Sequence, residues 1–286
     1  MFKSESIQLT SSGKPVNIHL VSSGSVAVKN KFRKARFQGL PAMIDFIFDR
    51  HFTEWLPVWV MVVEHPEGIF VIDTGEIAEV NKPGHFKSSG FIANWFDTSQ
   101  FKFEVSGEEE IDQQLLSLSI PVEKVKTVVL THLHFDHTDG VKYFPSTEIL
   151  VSKHEYEKPF GDLPKLYPPW FKPVLVELNE RYMEFDKVHF LTQAKDMMLV
   201  QTPGHTYGHC SVLLKTGEVF ILFAADICYS QQQLLEGSFP GNNASNKLAK
   251  KTYETVKAFA NNHKMIFIPS HDAGAAERLR NLTPLV

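Results

Sequence analysis

Residues 131–140, Thr-His-Leu-His-Phe-Asp-His-Thr-Asp-Gly, place four metal-ligand side chains within six positions. Side chains alternate along an extended segment, so His132, His134 and Asp136 would point to the same side. His137 breaks that alternation and would face elsewhere unless the backbone turns there. Imidazole and carboxylate ligands suit zinc first, with manganese, iron and cobalt as other occupants. The cluster therefore predicts two imidazoles for one metal ion and an Asp–His pair for a neighbouring ion.

Three later segments each follow an apolar run with one more metal ligand. They are His205, after the run 197–200 and a Pro-Gly turn, Asp226, after the run 219–225, and His271, after the run 265–268. Loops that follow strands often carry functional groups. Two metal ions need about seven protein ligands if each is to keep an open position. The cluster and the three later ligands together supply that number.

These motifs, in this order, resemble the metallo-β-lactamase superfamily of hydrolases over residues 58–272. The matching residues are Asp73-Thr74-Gly75, His132–His137, Thr202-Pro203-Gly204-His205-Thr206, Asp226 and Ser270-His271. The resemblance implies an α+β fold, a four-layer αβ/βα sandwich with the metals at one edge between two packed sheets.

The resemblance also implies how the ligands are shared between two divalent ions, for which zinc is the first choice. They are His132, His134 and His205 for the first ion, Asp136, His137 and His271 for the second, and Asp226 as the bridge. Two such ions, roughly 3.5–4 Å apart, would share a water of lowered pKa, and the bridging hydroxide would be the nucleophile.

Two further residues are candidates for supporting the ligands. Asp73 ends the apolar run 70–72, and we expect it to orient ligand histidines, which usually need such a partner. His209 either has the same role or is a buried histidine satisfied by backbone groups, and the sequence leaves both interpretations open.

Tyr229 stands three residues after Asp226, and this Asp-x-x-Tyr pattern resembles the N-acyl homoserine lactonases, the quorum-quenching branch of the superfamily. In those enzymes the matching hydroxyl donates to the lactone carbonyl, so we expect Tyr229 to stabilise the developing oxyanion. A half-buried aromatic at a strand end is the alternative. Asp136 or Asp226 would protonate the leaving alkoxide, which makes Asp136, Asp226 and Tyr229 the catalytic candidates.

Two Phe- and Trp-rich segments, near 40–56 and 83–103, look like insertions around the site. We expect them to supply an apolar substrate pocket from Met43, Phe46, Ile47, Phe48, Trp55, Phe86, Phe91 and Trp95. The alternative is that these residues cap the core or form a homodimer contact.

Other functions remain in view. One is a thioesterase similar to glyoxalase II, which wants a cationic pocket that only Lys247, Lys250, Lys251, Arg278 and Arg280 could supply. Another is an ester or phosphodiester hydrolase of the same superfamily. The non-enzymatic alternative is a metal-stabilised binding protein that has lost activity.

The composition favours one domain over residues 1–286, because 43% of the residues are hydrophobic and no Gly/Ser- or Pro-rich linker divides them. A net charge of −4 argues against a nucleic-acid partner, which would need a basic face. No apolar stretch predicts membrane insertion, and with only two cysteines we expect a cytoplasmic protein. Strands are expected near 17–21, 58–64, 70–73, 126–130 and 148–152, and helices over 109–120 and 246–261.

Overall fold

The computed structural model describes residues 2–37 and 40–286, apart from the side chains of Leu40 and Met43. Its first sheet has the order β1-β2-β3-β4-β6-β7-β8, with β5 paired to β2. Its strands are β1 (Glu5–Ser11), β2 (Lys14–Val28), β3 (Leu56–His65), β4 (Gly68–Ile72), β5 (Phe101–Glu104), β6 (Val125–Leu130), β7 (Glu148–Ser152) and β8 (Val174–Val176). The pairings among β4, β6, β7 and β8 are parallel.

The second sheet has the order β14-β13-β12-β11-β10-β9. Its strands are β9 (Glu180–Tyr182), β10 (Phe185–Phe190), β11 (Met197–Gln201), β12 (Cys210–Lys215), β13 (Phe220–Ala225) and β14 (Met265–Pro269). The helices are α1 (Asn30–Arg33), α2 (Leu40–Ile47), α3 (Phe91–Gln100), α4 (Ile111–Ser117), α5 (Phe135–Thr138), α6 (Lys153–Glu157), α7 (Gln231–Glu236), α8 (Asn246–Asn262) and α9 (Ala275–Arg280).

Side-chain alternation along the strands builds four layers. In β11, Met197 and Leu199 belong to the core between the sheets, whereas Met198 and Val200 pack on the other side with Val256 of α8. The first sheet does the same, since Val129 of β6 faces the second sheet while its neighbours Val128 and Leu130 pack in the cluster that contains Leu115 of α4. Strands buried on both faces need continuous apolar runs, as here. The expected αβ/βα sandwich is confirmed.

Two predicted elements differ in their ends. The helix expected over 109–120 is α4, which stops at Ser117 because Ser119 takes a left-handed conformation with φ of 61° before Pro121. The helix expected over 246–261 is α8 and extends one residue further, to Asn262. No helix within residues 2–37 and 40–286 has the length and apolar character needed to span a membrane.

The two aromatic segments fold beside the sheets. Residues 40–56 form α2 and an irregular return whose Phe52 bridges Lys29. Residues 83–103 form a short 3₁₀ turn at His85–Ser89, then α3 and β5, and β5 pairs with the end of β2.

Candidate metal centre

The seven predicted ligands lie at one edge of the sandwich because each follows the carboxyl end of a strand. His132 and His134 follow β6, His205 follows β11, Asp226 follows β13 and His271 follows β14. The chain turns into the short helix α5 at Phe135. That turn brings His137 back to the side of Asp136, which an extended segment could not do.

Three histidines form the first group of ligand atoms. His134 Nδ1 lies 3.1 Å from His132 Nε2 and 2.8 Å from His205 Nε2. His134 Nε2 lies 2.8 Å from the carbonyl oxygen of Phe160, which can only accept, so this nitrogen carries the proton. The lone pair of His134 Nδ1 is therefore directed at the other two imidazoles, as in a tris-imidazole metal site.

The second group combines carboxylates with histidines. His271 Nε2 lies 3.3 Å from Asp136 Oδ2 and 3.5 Å from Asp226 Oδ2. His137 Nε2 lies 3.4 Å from Asp226 Oδ1, and the other oxygen of Asp226 lies 3.4 Å from His205 Nε2. Asp226 therefore stands between the two groups, where a bridging carboxylate would be.

The outer nitrogens of these histidines are held by acceptors, which leaves the inner nitrogens free for a metal. His271 Nδ1 lies 2.9 Å from the Pro57 carbonyl and His137 Nδ1 lies 2.8 Å from Asp73 Oδ2, so both donate outward. Within the described residues, the buried atoms His137 Nε2 and Asp226 Oδ1 have no hydrogen-bond partner. Buried polar atoms are normally satisfied, so these two atoms are placed as ligands of a cation would be.

Charge reinforces this conclusion. Burial opposes a charged imidazole, yet Asp226 and Asp136 raise the pKa of His271 to about 10. At the other group, burial and the neighbouring histidines lower the pKa of His132. Asp136 and Asp226 therefore favour positive charge beside them, whereas burial keeps the three imidazoles of the first group neutral, which is the form that binds a metal ion. The donor set fits two divalent metal ions, with ligand atoms inside each of three overlapping groups within 4.8 Å of one another.

Asp73 orients histidines of both groups. Its carboxylate accepts from His137 Nδ1, from the backbone N–H of Thr131 and from Thr131 Oγ1, each at 2.8 Å. Since Thr131 gives its only hydroxyl proton to Asp73, His132 Nδ1 must donate to Thr131 Oγ1, 3.0 Å away. Asp73 thus fixes the tautomers of His137 and, through Thr131, of His132.

His209 supports the backbone of the bridging acid. Its Nε2 accepts from the backbone N–H of Asp226 at 3.1 Å, and its Nδ1 lies 3.0 Å from the Thr202 carbonyl, to which it donates. These contacts are those of the second interpretation, a buried histidine satisfied by backbone groups, and one of those groups belongs to Asp226.

Glu155 of α6 joins two of the ligand-bearing loops, and the sequence reasoning did not single it out. One carboxylate oxygen accepts from the backbone N–H of Leu133 at 3.1 Å, between His132 and His134. The other accepts from Thr206 Oγ1 at 2.5 Å and from the backbone N–H of Gly208 at 3.2 Å, beyond His205. A Cβ at Gly208 would lie 2.1 Å from the Glu155 backbone nitrogen, so this approach requires glycine.

Tyr229 lies against His271, one of the predicted metal ligands. Its ring stacks on His271 with centroids 5.5 Å apart, and only 6% of the residue is exposed. Burial, reinforced by Asp226 and Asp136, raises the pKa of Tyr229 well above its usual range. Its hydroxyl therefore keeps its proton and can donate a hydrogen bond.

A cavity of about 440 Å³ opens over the metal centre. Its polar lining comes from His134, Asp136, Asp226, Tyr229 and His271 at the ligand cluster and from Asn242, Asn243 and Asn246. The apolar wall comes from β2, α1, α2, α3, β5 and α5 and consists of Val26, Val28, Phe32, Ala42, Phe46, Phe96, Phe101, Phe103 and Phe135.

Among the eight residues predicted for this pocket, Phe46 lines the cavity. Phe86 packs behind the wall against Phe135, with ring centroids 5.0 Å apart, and Ile47 is half-buried in the neighbouring cluster. The remaining described residues are largely exposed and do not line the cavity: Phe48, Trp55, Phe91 and Trp95. The Met43 side chain lies outside the described residues.

The faces of α2 and α3 explain which of the predicted residues line the cavity. Ala42 and Phe46, four residues apart, share the inner face of α2, so Phe48 points outward. In α3, Phe91 and Trp95 share the outer face, while Phe96 lies on the inner one. Phe101 and Phe103 of β5 both line the cavity because side chains two residues apart on a strand share a face. This two-residue spacing is visible in the sequence and could have identified both residues.

A family model described as the metallo-β-lactamase superfamily matches residues 53–271, more than half of the chain. The chain belongs to the metallo-β-lactamase superfamily. Members of this superfamily with related sequences include an N-acyl homoserine lactonase of a Bacillus species, 29% identical over 76% of this chain and 82% of the relative. Another is the N-acyl homoserine lactonase AttM of Agrobacterium fabrum, 28% identical over 77% of this chain and 83% of that protein.

Solved structures agree with the fold. An N-acyl homoserine lactone hydrolase with N-hexanoyl-L-homoserine bound at its catalytic metal centre superposes with a TM-score of 0.73, covering 96% of this chain and 97% of that chain at 19% identity. A dizinc quorum-quenching lactonase in complex with its product gives a TM-score of 0.64, covering 95% of this chain and 91% of that chain at 16% identity.

Proposed function

We propose that this protein is a dinuclear-metal hydrolase that opens the lactone ring of N-acyl homoserine lactones. The observation that carries the proposal is the position of Tyr229. Its buried ring, whose hydroxyl keeps its proton, stacks on His271 where the ligand cluster meets an apolar cavity. A small polar ring with an apolar tail matches a cavity that is polar at one end and aromatic along its wall. The named lactonase relatives support the same substrate class.

The residues of the chain divide the work as follows. Two divalent ions held by the seven ligands would lower the pKa of a shared water and polarise the lactone carbonyl. The Tyr229 hydroxyl donates a hydrogen bond to the carbonyl oxygen, where negative charge develops in the transition state. Asp136 and Asp226 lie on the polar floor, and either can carry a proton to the ring oxygen as it leaves. The aromatic wall holds the acyl chain and excludes water.

A glutathione-type thioesterase is less well supported. Such a substrate carries carboxylates and wants cationic groups in the pocket, yet no lysine or arginine lines the described cavity. Arg278 is paired with Asp272 at 2.7 Å and Arg280 with Glu5. The inactive binding protein is also disfavoured, because all seven ligand side chains are present and converge.

The test is hydrolysis by the purified, metal-loaded protein, followed by acid release from acyl homoserine lactones of several chain lengths. A glutathione thioester and a phosphodiester are measured in parallel. Lactone turnover that a chelator abolishes and metal restores is the expected result. No turnover on any lactone, together with turnover of the thioester, would replace the lactonase with the thioesterase.

We further propose that the metal pair is zinc, that the protein is cytoplasmic and that it could form a homodimer. Imidazole-rich sites favour zinc, and both cysteines, Cys210 and Cys228, are free and buried, which suits a reducing compartment. The exposed Phe48, Phe91 and Trp95 would suit a dimer contact. Elemental analysis of protein from its native host, cell fractionation and sedimentation velocity test these three points.

A further inference from the structure

One carboxyl group interrupts the aromatic wall of the cavity. Asp97, on the inner face of α3, lines the cavity beside Phe96 and is only 6% exposed. Within the described residues, its carboxyl oxygens have no hydrogen-bond partner, although its backbone carbonyl accepts from Phe101. A carboxyl that lines a cavity without a protein partner depends on water in that cavity, and a ligand that fills the cavity must replace this water with a hydrogen bond of its own.

The surroundings of Asp97 do not satisfy it. His85 is the basic side chain that acts on Asp97, but His85 Nε2 already lies 3.0 Å from Asp139 Oδ2. Burial raises the pKa of Asp97 to about 7, against the opposing effect of His85. Near neutral pH the group is therefore present in both forms, and each form can accept a hydrogen bond. The neutral form can also donate one.

An acyl chain that fills this cavity must pass an unpaired acid. An unsubstituted chain would cover the carboxyl and leave it without a partner, whereas a hydroxyl on the chain would supply one. Sites built to hydrogen-bond a substrate hydroxyl discriminate strongly against analogues that lack it, because the buried group of the protein is then left unpaired.

We propose that Asp97 is a specificity-determining residue of the cavity and selects acyl chains that carry a hydroxyl group over unsubstituted chains of the same length. This inference rests on the proposed lactonase function. The aromatic wall accepts the methylene groups, and the Asp97 carboxyl on that wall binds the hydroxyl substituent.

The test uses metal-loaded wild type and the variants Asp97→Leu, Asp97→Asn and Thr98→Leu. Thr98 is the matched control, since it is the next residue of α3 and is exposed. kcat/KM is measured for acyl homoserine lactones of one chain length with a hydroxyl at successive carbons. The wild type should prefer one hydroxylated isomer by about tenfold. Asp97→Leu should bring that ratio to about twofold or less by improving turnover of the unsubstituted chain, while Asp97→Asn keeps part of the preference and Thr98→Leu keeps all of it.

Binding of the open-chain N-acyl homoserines, with and without the hydroxyl, gives a second readout by calorimetry that needs no turnover. A wild type that opens no lactone but binds the hydroxylated product better would refute the proposed function and leave the role of Asp97 standing. Equal affinity for the two products, or a preference that survives Asp97→Leu, would overturn the role of Asp97 whatever the turnover shows. Replacing a buried unpaired carboxyl by leucine should not lower the melting temperature, so misfolding is not expected.

Discussion

Removing the carboxylate of Glu155 should loosen two ligand-bearing loops at once. In Glu155→Ala, the backbone N–H groups of Leu133 and Gly208 lose the acceptor that the described residues provide, and both are buried. Each unpaired buried donor lowers the free energy of unfolding by about 1–3 kcal/mol, so the pair predicts a loss of about 2–6 kcal/mol. The Thr206 hydroxyl can rotate and adds less. Since domains are stable by only about 5–15 kcal/mol, this loss is severe.

The milder variant Glu155→Gln keeps the shape but turns an amide N–H₂ toward at least one donor, and it should lose about 1–3 kcal/mol. Because Leu133 lies between His132 and His134, the affinity of the first ligand group for its metal ion should also fall, by about 10–100-fold. Urea unfolding of the metal-free proteins measures the first effect, and zinc titration against a competing chelator measures the second.

Glu157→Ala is the matched control, because Glu157 is exposed on the same short helix and should change neither quantity by a measurable amount. Glu155 does not hold the two loops if the free energy of unfolding of Glu155→Ala lies within about 0.5 kcal/mol of the wild-type value and the variant binds zinc as tightly as the wild type.

Three further predictions concern single carboxyl and hydroxyl groups. Tyr229→Phe should keep both metals and lower kcat by about 10–1,000-fold, since it removes one donor to the developing oxyanion; loss of metal in elemental analysis would instead make Tyr229 a metal-supporting residue. Asp73→Asn should weaken metal binding by about 10–100-fold, because the carboxylate that fixes His137 and Thr131 loses its charge; unchanged metal affinity would contradict this. Although burial opposes it, hydrogen bonds from Ser11, Ser12 and Thr192 lower the pKa of Asp196 from 3.8 to about 2. That group therefore stabilises the fold by about 2 kcal/mol above pH 4, and this is lost as the pH falls through about 2. Asp196→Asn should lose this stabilisation of about 2 kcal/mol at pH 7, and its free energy of unfolding should fall less than that of the wild type as the pH drops below 4. Urea unfolding as a function of pH measures both effects, and parallel profiles for the two proteins would contradict the prediction.

The sequence predicted the sandwich and the convergence of the seven ligand candidates because both depend on local patterns. Apolar runs that end in a single polar ligand mark buried strands, and the edge at which such strands end is shared in a layered α/β fold. His132 to His137 form one contiguous motif, so their proximity needed no tertiary information.

Long-range packing decided the rest. Glu155 lies in a helix of five residues, and its partners Leu133, Thr206 and Gly208 are separated from it by 22, 51 and 53 positions along the chain. No local sequence pattern marks a carboxylate with such distant partners. The pocket prediction grouped aromatic residues by segment, whereas the cavity selects them by helix face. Phe46 and Phe96 point inward, and Phe48 and Trp95 point to solvent. Asp97 was hidden for the same reason, because an acid within an aromatic helix appears exposed until that helix is packed.

In the proposed function, two metal ions held by seven side chains enable this chain to open a lactone. The most direct test is a zinc titration of the metal-free protein in which metal content per chain and lactone turnover are followed together, with Asp226→Ala alongside. Turnover should rise to its maximum at about two ions per chain, and the Asp226→Ala protein should be folded but lack both the metal pair and the activity. Full lactone turnover in chelated protein, or in an Asp226→Ala variant that binds no metal, would contradict the role of the two metal ions.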